Sequence, residues 1–231
     1  MITIFTIPKA FTDSHISIIQ RNAIKSWTLL KPTCKITLIG NDEGVDEVAK
    51  EFNVKHIPSV KVNEFNTPLL NSAFELVRKE SSNDILMYLN ADIILTSGLK
   101  DIINKLPNEE FLAVGRRLDI NVKKELDFNN INELDKNSVI HSPSGIDYFI
   151  FRKKSFKNIP EFAVGRIGWD NWMIYSARKN KIKTIDLTST LKVYHQNHGY
   201  SRINSVERKT NPEAKKNISF LRYPLDVYNI E

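Results

Sequence analysis

Residues 84–95 read DILMYLNADIIL, an apolar run that is interrupted by Asn90, Ala91 and Asp92. An ionised carboxylate without a partner is costly to bury in apolar surroundings. The run therefore predicts a buried strand over 84–89 that ends just before Asp92. Where this carboxylate lies depends on how the strand is arranged among its neighbours.

The sequence before this strand alternates between strand-like and helix-like patterns. Strands are predicted at 2–7, 35–40 and 54–60, where Pro58 favours an edge position, and helices at 13–27, 44–52 and from Pro68 onward. This alternation predicts an α/β fold with a largely parallel central sheet and helices on both faces. Ligands of such sheets bind beyond the carboxyl ends of the strands. Asn90 and Asp92 are therefore expected to face a crevice.

The second half of the chain is less regular. Its patterns predict a long polar loop over 118–138, a helix over 170–179, and strands at 111–115, 146–151, 183–187 and 191–195. No Gly/Ser-rich linker divides the chain. We therefore expect one domain over residues 1–200, followed by a C-terminal tail of uncertain order over 201–231.

Composition limits the function classes. The chain has 231 residues, 33 Lys and Arg against 27 Asp and Glu, and a net charge of +6. The single cysteine, Cys34, excludes an internal disulfide framework and a multi-cysteine zinc site. The basic balance suits a solvated surface, a polyphosphate substrate, an acidic glycan or an anionic membrane surface. No nucleic-acid-binding motif accompanies it, so no nucleic-acid partner is expected.

Two targeting features are relevant to localisation. No stretch approaches the roughly 20 apolar residues of a spanning helix. The N-terminal MITIFTIPKAF lacks the charged region and cleavage site of a signal peptide, and we interpret it as a first strand. These features favour a cytoplasmic protein, either free or peripheral to a membrane. The oligomeric state stays open.

Three short constellations carry candidate chemistry. Asp92, with Asn90 on the same side of the chain, is consistent either with a turn cap or with a metal ligand. Asp170 begins a helix, where it suits a cap, but Trp169 and Trp172 beside it also suit an aromatic-walled pocket around a general base.

The third constellation is LKVYHQNHGY, in which His195 ends a strand and His198 follows it. It is consistent with structural hydrogen bonds or with metal or phosphate contact. Asp147 precedes a strand in a loop with Pro143 and Gly145. In GRR, Arg116 is a candidate phosphate ligand, whereas for Arg117 we favour a surface ion pair.

Several motifs in the same order resemble one family of enzymes. NEFNTPLLN, YLNADIIL, VGRRLDI, HSPSGIDYFIF, FAVGRIGWDNW and YHQNHGY are similar to those of GT-A type nucleotide-sugar-dependent glycosyltransferases, and are closest to a bacterial glycosyltransferase-like group. The resemblance spans about residues 2–200 and excludes the tail. It implies a Rossmann-like nucleotide-diphospho-sugar transferase fold. It also implies transfer of a sugar from a nucleoside-diphosphate sugar to a glycan, lipid-linked or protein acceptor.

The resemblance also implies roles for individual residues. Asn90 stands where the family has the first acid of its Asp-x-Asp element, which favours ribose contact over metal binding at that position. Asp170 matches the acid expected to act as catalytic base in inverting enzymes. A divalent metal, Mn²⁺ or Mg²⁺, is expected on Asp92, His195 and His198; donor contacts on Pro8, Asp42, Asn71, Asn90 and Arg116; and acceptor contacts on Asp147, Trp169 and Trp172.

Two other functions are compatible with parts of the pattern. A catalytically degenerate GT-A fold that binds a glycan or a nucleotide is supported by Asn90 in place of an acid. A nucleotidyltransferase would use a glycine-rich loop after the first strand, and residues 6–15, TIPKAFTDSH, contain no glycine. We favour the glycosyltransferase, with inversion preferred over retention because no second candidate nucleophile is present.

Overall fold

The computed structural model describes residues 1–30, 32–199 and 210–221. In chain order its strands are β1 (Ile2–Thr6), β2 (Cys34–Ile39), β3 (Lys55–Ile57), β4 (Ile85–Leu89), β5 (Ile93–Leu95), β6 (Phe111–Val114), β7 (Leu118–Ile120), β8 (Val139–Ile140), β9 (Tyr148–Arg152), β10 (Lys183–Asp186) and β11 (Val193–Gln196). The helices are α1 (Ser14–Thr28), α2 (Val45–Glu51), α3 (Leu70–Glu80), α4 (Leu99–Ile103), α5 (Trp169–Lys179) and α6 (Pro212–Ser219), with a 3-10 helix at Phe128–Asn137.

The larger sheet has seven strands in the order β3-β2-β1-β4-β9-β6-β10. Its strands run parallel except β9, which is antiparallel to both of its neighbours, β4 and β6. Strand β3, predicted as a short or edge strand, lies at one edge. The expected largely parallel sheet is therefore confirmed.

Helices cover both faces of this sheet. Apolar residues of α1, α2 and α4 pack with Ile2, Ile4 and Met87 on one face. Those of α3 and α5 pack with Phe5 and Leu86, the alternate strand residues, on the other face. This alternation follows from the two-residue period of a strand, and every residue of β1 and β4 is buried in consequence.

The smaller sheet has the order β5-β11-β7-β8 and lies beyond the end of β4. Strand β11 pairs antiparallel with β5, so that His195 lies opposite Ile93. It pairs parallel with β7, so that His195 also lies level with Asp119. This register brings polar residues from three separate parts of the chain to the end of β4.

The long loop expected over 118–138 is wrong in part. It contains β7 and the 3-10 helix Phe128–Asn137. Ile120, with apolar residues of the 3-10 helix such as Phe128 and Ile131, packs in a small third core with Ile94 and Tyr194. A three-residue strand with Asp119 at its centre is too short for a clear apolar period, which is why the pattern suggested a loop.

Part of the expected C-terminal tail is folded. Within the expected tail, residues 210–221 include α6, which packs against the domain through buried Glu213, Ala214 and Asn217. Residues 201–209 and 222–231 of that tail lie outside the described residues. Among the residues that the structure describes, no helix combines the length and the apolar character that crossing a membrane would need.

Candidate active site

Asp92 lies in the short turn between β4 and β5, at the carboxyl edge of the larger sheet. The buried side chain of Gln196 fixes this turn, because its amide nitrogen donates to the Asp92 carbonyl at 3.1 Å and to the Ile19 carbonyl at 2.7 Å. The indole nitrogen of Trp27 donates to the Ile93 carbonyl at 2.8 Å. The turn backbone is thus held by the core, and the Asp92 side chain contacts His195 and His198.

Two histidines contact the Asp92 carboxylate. His198 Nε2 lies 3.0 Å and His195 Nε2 lies 3.5 Å from Asp92 Oδ2. One potential ligand atom from each of the three residues lies within 4.8 Å of the other two. The side chain of His195 is 2% exposed and that of Asp92 16%, so the group is mostly shielded but reachable from one side.

The two histidines keep Asp92 in its ionised form. Burial alone would raise the pKa of Asp92, but hydrogen bonds and charges from His195 and His198 outweigh it and hold that pKa well below its usual range. Burial lowers the pKa of His195, but the hydrogen bond and the charge of Asp92 raise it more. Asp92 is therefore ionised at neutral pH.

A divalent cation fits the trio. Asp92 Oδ1 is buried and has no hydrogen-bond partner among the described residues, an arrangement that calls for an explanation in a native protein. A cation at this atom would complete its coordination, and two imidazole nitrogens with one carboxylate form a donor set suited to transition-metal ions. Asp92, His195 and His198 are the residues that would hold it.

Two groups lie at the other ring nitrogen of His195, and one of them is Asn197, whose Oδ1 is a hydrogen-bond partner of Nδ1 at 3.3 Å. His195 Nδ1 lies 3.3 Å from Asp119 Oδ1, on the side of the ring away from Asp92. Asp119 also contacts His141 Nδ1 at 2.6 Å and Arg117 Nε at 2.9 Å. A carboxylate behind a metal-binding histidine fixes the ring and its tautomer. Sequence reasoning missed both Asp119 and His141.

Arg117 joins this group to the end of β4. Its guanidinium donates to Asp147 Oδ2 at 2.5 Å, and Asp147 Oδ1 accepts from Asn90 Nδ2 at 2.7 Å. The expected surface ion pair of Arg117 is corrected here, because the Arg117 side chain is only 9% exposed and that of Asp147 only 11%. Asp147, expected at the acceptor, thus contacts Asn90 and Arg117.

Asp170 is the second residue of α5 and lies in its first turn. Its carboxylate accepts a hydrogen bond from the backbone N–H of Asn171 at 2.9 Å. Burial raises the pKa of Asp170 to about 6, and the nearby negative charge of Asp147 adds to this rise. Burial raises the pKa of the Tyr88 hydroxyl, and the negative charges of Asp92 and Asp147 raise it further, so Tyr88 lies near both carboxylates.

The two tryptophans beside Asp170 face other neighbours. Trp169 is buried in the core, with its ring edge-on to Tyr88 at 5.2 Å and tilted against Phe149 at 5.0 Å. This burial leaves little of the ring exposed, and the expected role of Trp169 toward an acceptor stays a prediction. Trp172 is partly buried and packs against Phe162 at 5.6 Å.

The four remaining donor candidates occupy different surroundings. Pro8 is buried just after β1, and Asp42 is exposed just after β2. Asn71, in the first turn of α3, has a buried Oδ1 without a hydrogen-bond partner among the described residues. The Arg116 guanidinium donates from Nε to the His141 carbonyl at 2.8 Å. Their roles toward a donor stay predictions.

Comparisons with known proteins show the fold. No family model matches the chain, and no curated protein matches it. A solved structure of a proposed nucleotide-diphospho-sugar transferase from Desulfovibrio desulfuricans G20 is 11% identical, with a TM-score of 0.53 over 100% of this chain and 99% of that one. Glucosyl-3-phosphoglycerate synthase from Mycobacterium tuberculosis, solved with Mn²⁺, UDP and glucosyl-3-phosphoglycerate, is 14% identical, with a TM-score of 0.53 over 94% and 78%.

Nucleotidyltransferases are also among the similar structures. A proposed glucose-1-phosphate thymidylyltransferase from Bacillus anthracis, solved with sucrose, is 14% identical, with a TM-score of 0.51 over 91% of this chain and 97% of that one. At these identities the likeness concerns the fold alone. The chain has the GT-A glycosyltransferase-like fold of nucleotide-diphospho-sugar transferases.

Proposed function

We propose that this protein is a glycosyltransferase that moves a sugar from a nucleoside-diphosphate sugar to an acceptor hydroxyl, with a divalent metal and with inversion. One observation carries the proposal: at the carboxyl edge of the sheet, a metal-compatible trio and a carboxylate of raised pKa are coupled through Asp119, Arg117 and Asp147. Asp119 lies beside His195, Arg117 donates to both Asp119 and Asp147, and the charge of Asp147 acts on Asp170.

The metal trio suits the leaving group of such a transfer. Negative charge builds up on the nucleoside diphosphate as it departs, and a bound divalent cation supplies positive charge to stabilise it. Asp92, His195 and His198 would hold that cation, with the Asp119 carboxylate beside the His195 ring at 3.3 Å. Because two of the three ligands are imidazole nitrogens, we propose Mn²⁺ rather than Mg²⁺, which prefers oxygen ligands.

Asp170 suits the acceptor side. A general base works best when its pKa lies near the working pH, and burial brings Asp170 to about 6. It takes the proton of the acceptor hydroxyl as that oxygen attacks the anomeric carbon. Attack on the face opposite the leaving diphosphate inverts the configuration at that carbon.

Ligand-dependent stability tests the donor and the metal together. We expect one of UDP, GDP, CMP or dTDP, with Mn²⁺, to raise the free energy of unfolding by about 2.7 kcal/mol at a hundredfold excess over its dissociation constant. Neither the nucleotide alone nor Mn²⁺ alone is expected to do so to the same extent. Thermal denaturation of the protein with each nucleotide, with and without Mn²⁺, measures this effect.

Two variants make the test specific. Asp92→Ala is expected to abolish the Mn²⁺-dependent part of the stabilisation, whereas Asp101→Ala, which removes an exposed carboxylate of α4, is expected to retain it. Full Mn²⁺-dependent stabilisation in Asp92→Ala would contradict the metal role. Stabilisation without turnover would instead favour a binding module, and release of pyrophosphate from a nucleoside triphosphate would favour a nucleotidyltransferase.

The pH dependence of the reaction tests the base. Asp170 must be deprotonated to accept a proton, so kcat/KM is expected to rise about tenfold per pH unit at low pH and to level off above a midpoint near 6. Initial rates at saturating Mn²⁺ between pH 4.5 and 8, about the range where the protein is expected to stay folded, give this profile. A midpoint near 4, the value of an ordinary carboxyl group, would contradict the assignment.

A further inference from the structure

Helix α6 packs against the rest of the protein through a face that contains buried polar residues. Its N-cap, Asn211, accepts from the backbone N–H groups of Glu213 and Ala214 at 2.8 and 3.2 Å. Glu213, Ala214 and Asn217 are buried, whereas Lys216 is exposed. Glutamate and asparagine are among the residues least often buried, so their burial points to specific partners.

Asn217 is fully buried and bonds to the backbone of another segment. Its Oδ1 accepts from the Ala163 N–H at 2.9 Å, and its Nδ2 donates to the Ala163 carbonyl at 3.1 Å and to the Ile167 carbonyl at 3.4 Å. One side chain thus satisfies three backbone groups in the segment that leads into α5.

Glu213 joins that segment to the loop before α3. Its carboxylate accepts from Asn63 Nδ2 at 2.7 Å, and from Arg166 Nε at 2.9 Å and Nη2 at 2.6 Å. The two segments also meet directly, since the Leu70 N–H donates to the Phe162 carbonyl at 2.9 Å. Helix α6 therefore spans the segment before α3 and the segment before α5.

The segment before α5 needs such support. Gly165 and Gly168 both have positive φ, 74° and 107°, and a Cβ added at Gly165 would meet nothing within 4 Å. Glycine offers no side chain for packing and many backbone states, so this path depends on outside contacts. The contacts of Asn217 to Ala163 and Ile167 supply them on both sides of Gly165.

We propose that α6 is a positioning element for Asp170, and that Asn217 and Glu213 are its positioning residues. The proposal rests on the proposed function only in that Asp170 is the catalytic base. Asn217 fixes the backbone three residues before Asp170, and Glu213 fixes the same segment through Arg166. Neither residue needs to touch a substrate, and both act through the path of residues 163–168.

Asn217→Leu and Glu213→Gln test the proposal against Lys216→Ala, an exposed position on the same helix. Loss of positioning is expected to lower kcat about 10- to 100-fold in Asn217→Leu, with the KM for the donor little changed. Glu213→Gln keeps an acceptor oxygen for Asn63 and is expected to lose less. Lys216→Ala is expected to match the unaltered protein.

A second readout does not need a substrate. The Asp170 carboxyl signal, assigned by its loss in Asp170→Asn, is followed by carbon-13 NMR during a pH titration. We expect a midpoint near 6 in the unaltered protein and in Lys216→Ala, and a lower midpoint in Asn217→Leu, because water reaches a loosened Asp170. Asp147, the other acid that acts on Asp170, is unchanged in all of these variants.

The outcomes separate the two proposals. If the midpoint moves but the unaltered protein transfers no sugar, α6 positions Asp170 and the proposed function fails. If the unaltered protein is active and Asn217→Leu changes neither kcat nor the midpoint while it lowers the melting temperature, α6 only adds stability and the inference is overturned. Glu213→Gln decides the same question if Asn217→Leu does not fold.

Discussion

Asp170→Asn is expected to lower kcat for sugar transfer by about 10²- to 10⁴-fold, the contribution typical of a positioned general base. Affinity for the nucleotide with Mn²⁺ is expected to stay the same. The reason is chemical rather than structural. An asparagine amide keeps an oxygen that can accept the Asn171 N–H, but it has no basic site for the proton of the acceptor hydroxyl.

The variant also removes a cost of folding. Because burial raises the pKa of Asp170 to about 6, its charged form is disfavoured in the folded protein, and this cost grows between the unfolded pKa near 4 and pH 6 and stays constant above. Asp170→Asn carries no charge, so it is expected to be at least as stable as the unaltered protein at pH 7. A loss of activity with an unchanged melting temperature would therefore come from the missing base and not from unfolding.

The kinetic measurement needs a control and a stereochemical readout. Glu161→Gln removes an exposed acid from the segment before α5 and is expected to keep full activity. Proton NMR of the first product formed shows whether the anomeric configuration has inverted. Retained activity in Asp170→Asn would contradict the base assignment, and a retained configuration would contradict the inverting mechanism.

Much of the fold was predictable from local patterns. Alternating strand and helix periods specify a parallel sheet, and such a sheet gathers its functional residues beyond the carboxyl ends of its strands. Asp92 was identified in this way, as the carboxylate that interrupts DILMYLNADIIL. The pattern puts His195 at the end of a strand and His198 just after it, and the structure brings both to Asp92.

The second layer of the site was harder to predict. Arg117 and Asp119 alternate in VGRRLDI, which places them on one side of a strand, but a strand of three residues gives no clear period. Their partners depend on the register of β7 with β11, which is a long-range feature. The usable signal in the sequence is the charge pattern: an arginine and an aspartate two residues apart, beside a predicted crevice, suggest that the two side chains share partners there.

Side-chain direction limited the prediction around α5. Successive residues of a helix point about 100° apart, so Trp169 is buried in the core while Asp170 lies within range of the charge of Asp147. Composition alone cannot say which of two neighbours points inward. The packing of α6 was unpredictable for a related reason, because a helix of eight residues buries a glutamate and an asparagine instead of an apolar stripe.

Arg117→Met is expected to lower the free energy of unfolding by about 3–5 kcal/mol, the cost of breaking a buried ion pair from one side. The substitution keeps much of the side-chain volume but removes the cation that lies between Asp119 and Asp147. Both carboxylates are mostly buried, with side chains 21% and 11% exposed. They would then repel each other with little water to screen them.

Arg152→Met provides a control at a similarly buried arginine, at the end of β9. The Arg152 side chain is 11% exposed, close to the 9% of Arg117, but its ion-pair partner Asp84 is 64% exposed, and its other acceptors, the Pro107 carbonyl and Asn108 Oδ1, are neutral. Asp84 returns to water when its partner is lost, so the charge part of the effect is expected to be about 1 kcal/mol or less. Urea denaturation of both variants at pH 7 measures the difference.

A double variant separates charge from packing. Adding Asp147→Asn to Arg117→Met removes one of the unpaired carboxylates and keeps an oxygen for Asn90, so we expect it to recover about 1–3 kcal/mol. No recovery, together with equal losses in Arg117→Met and Arg152→Met, would mean that packing and not charge sets the cost. In the double variant Asp119, which contacts His195, still lacks the ion pair that it makes with Arg117. Recovered stability with Mn²⁺ binding weaker than in the unaltered protein would therefore show that Arg117 supports the metal trio through Asp119.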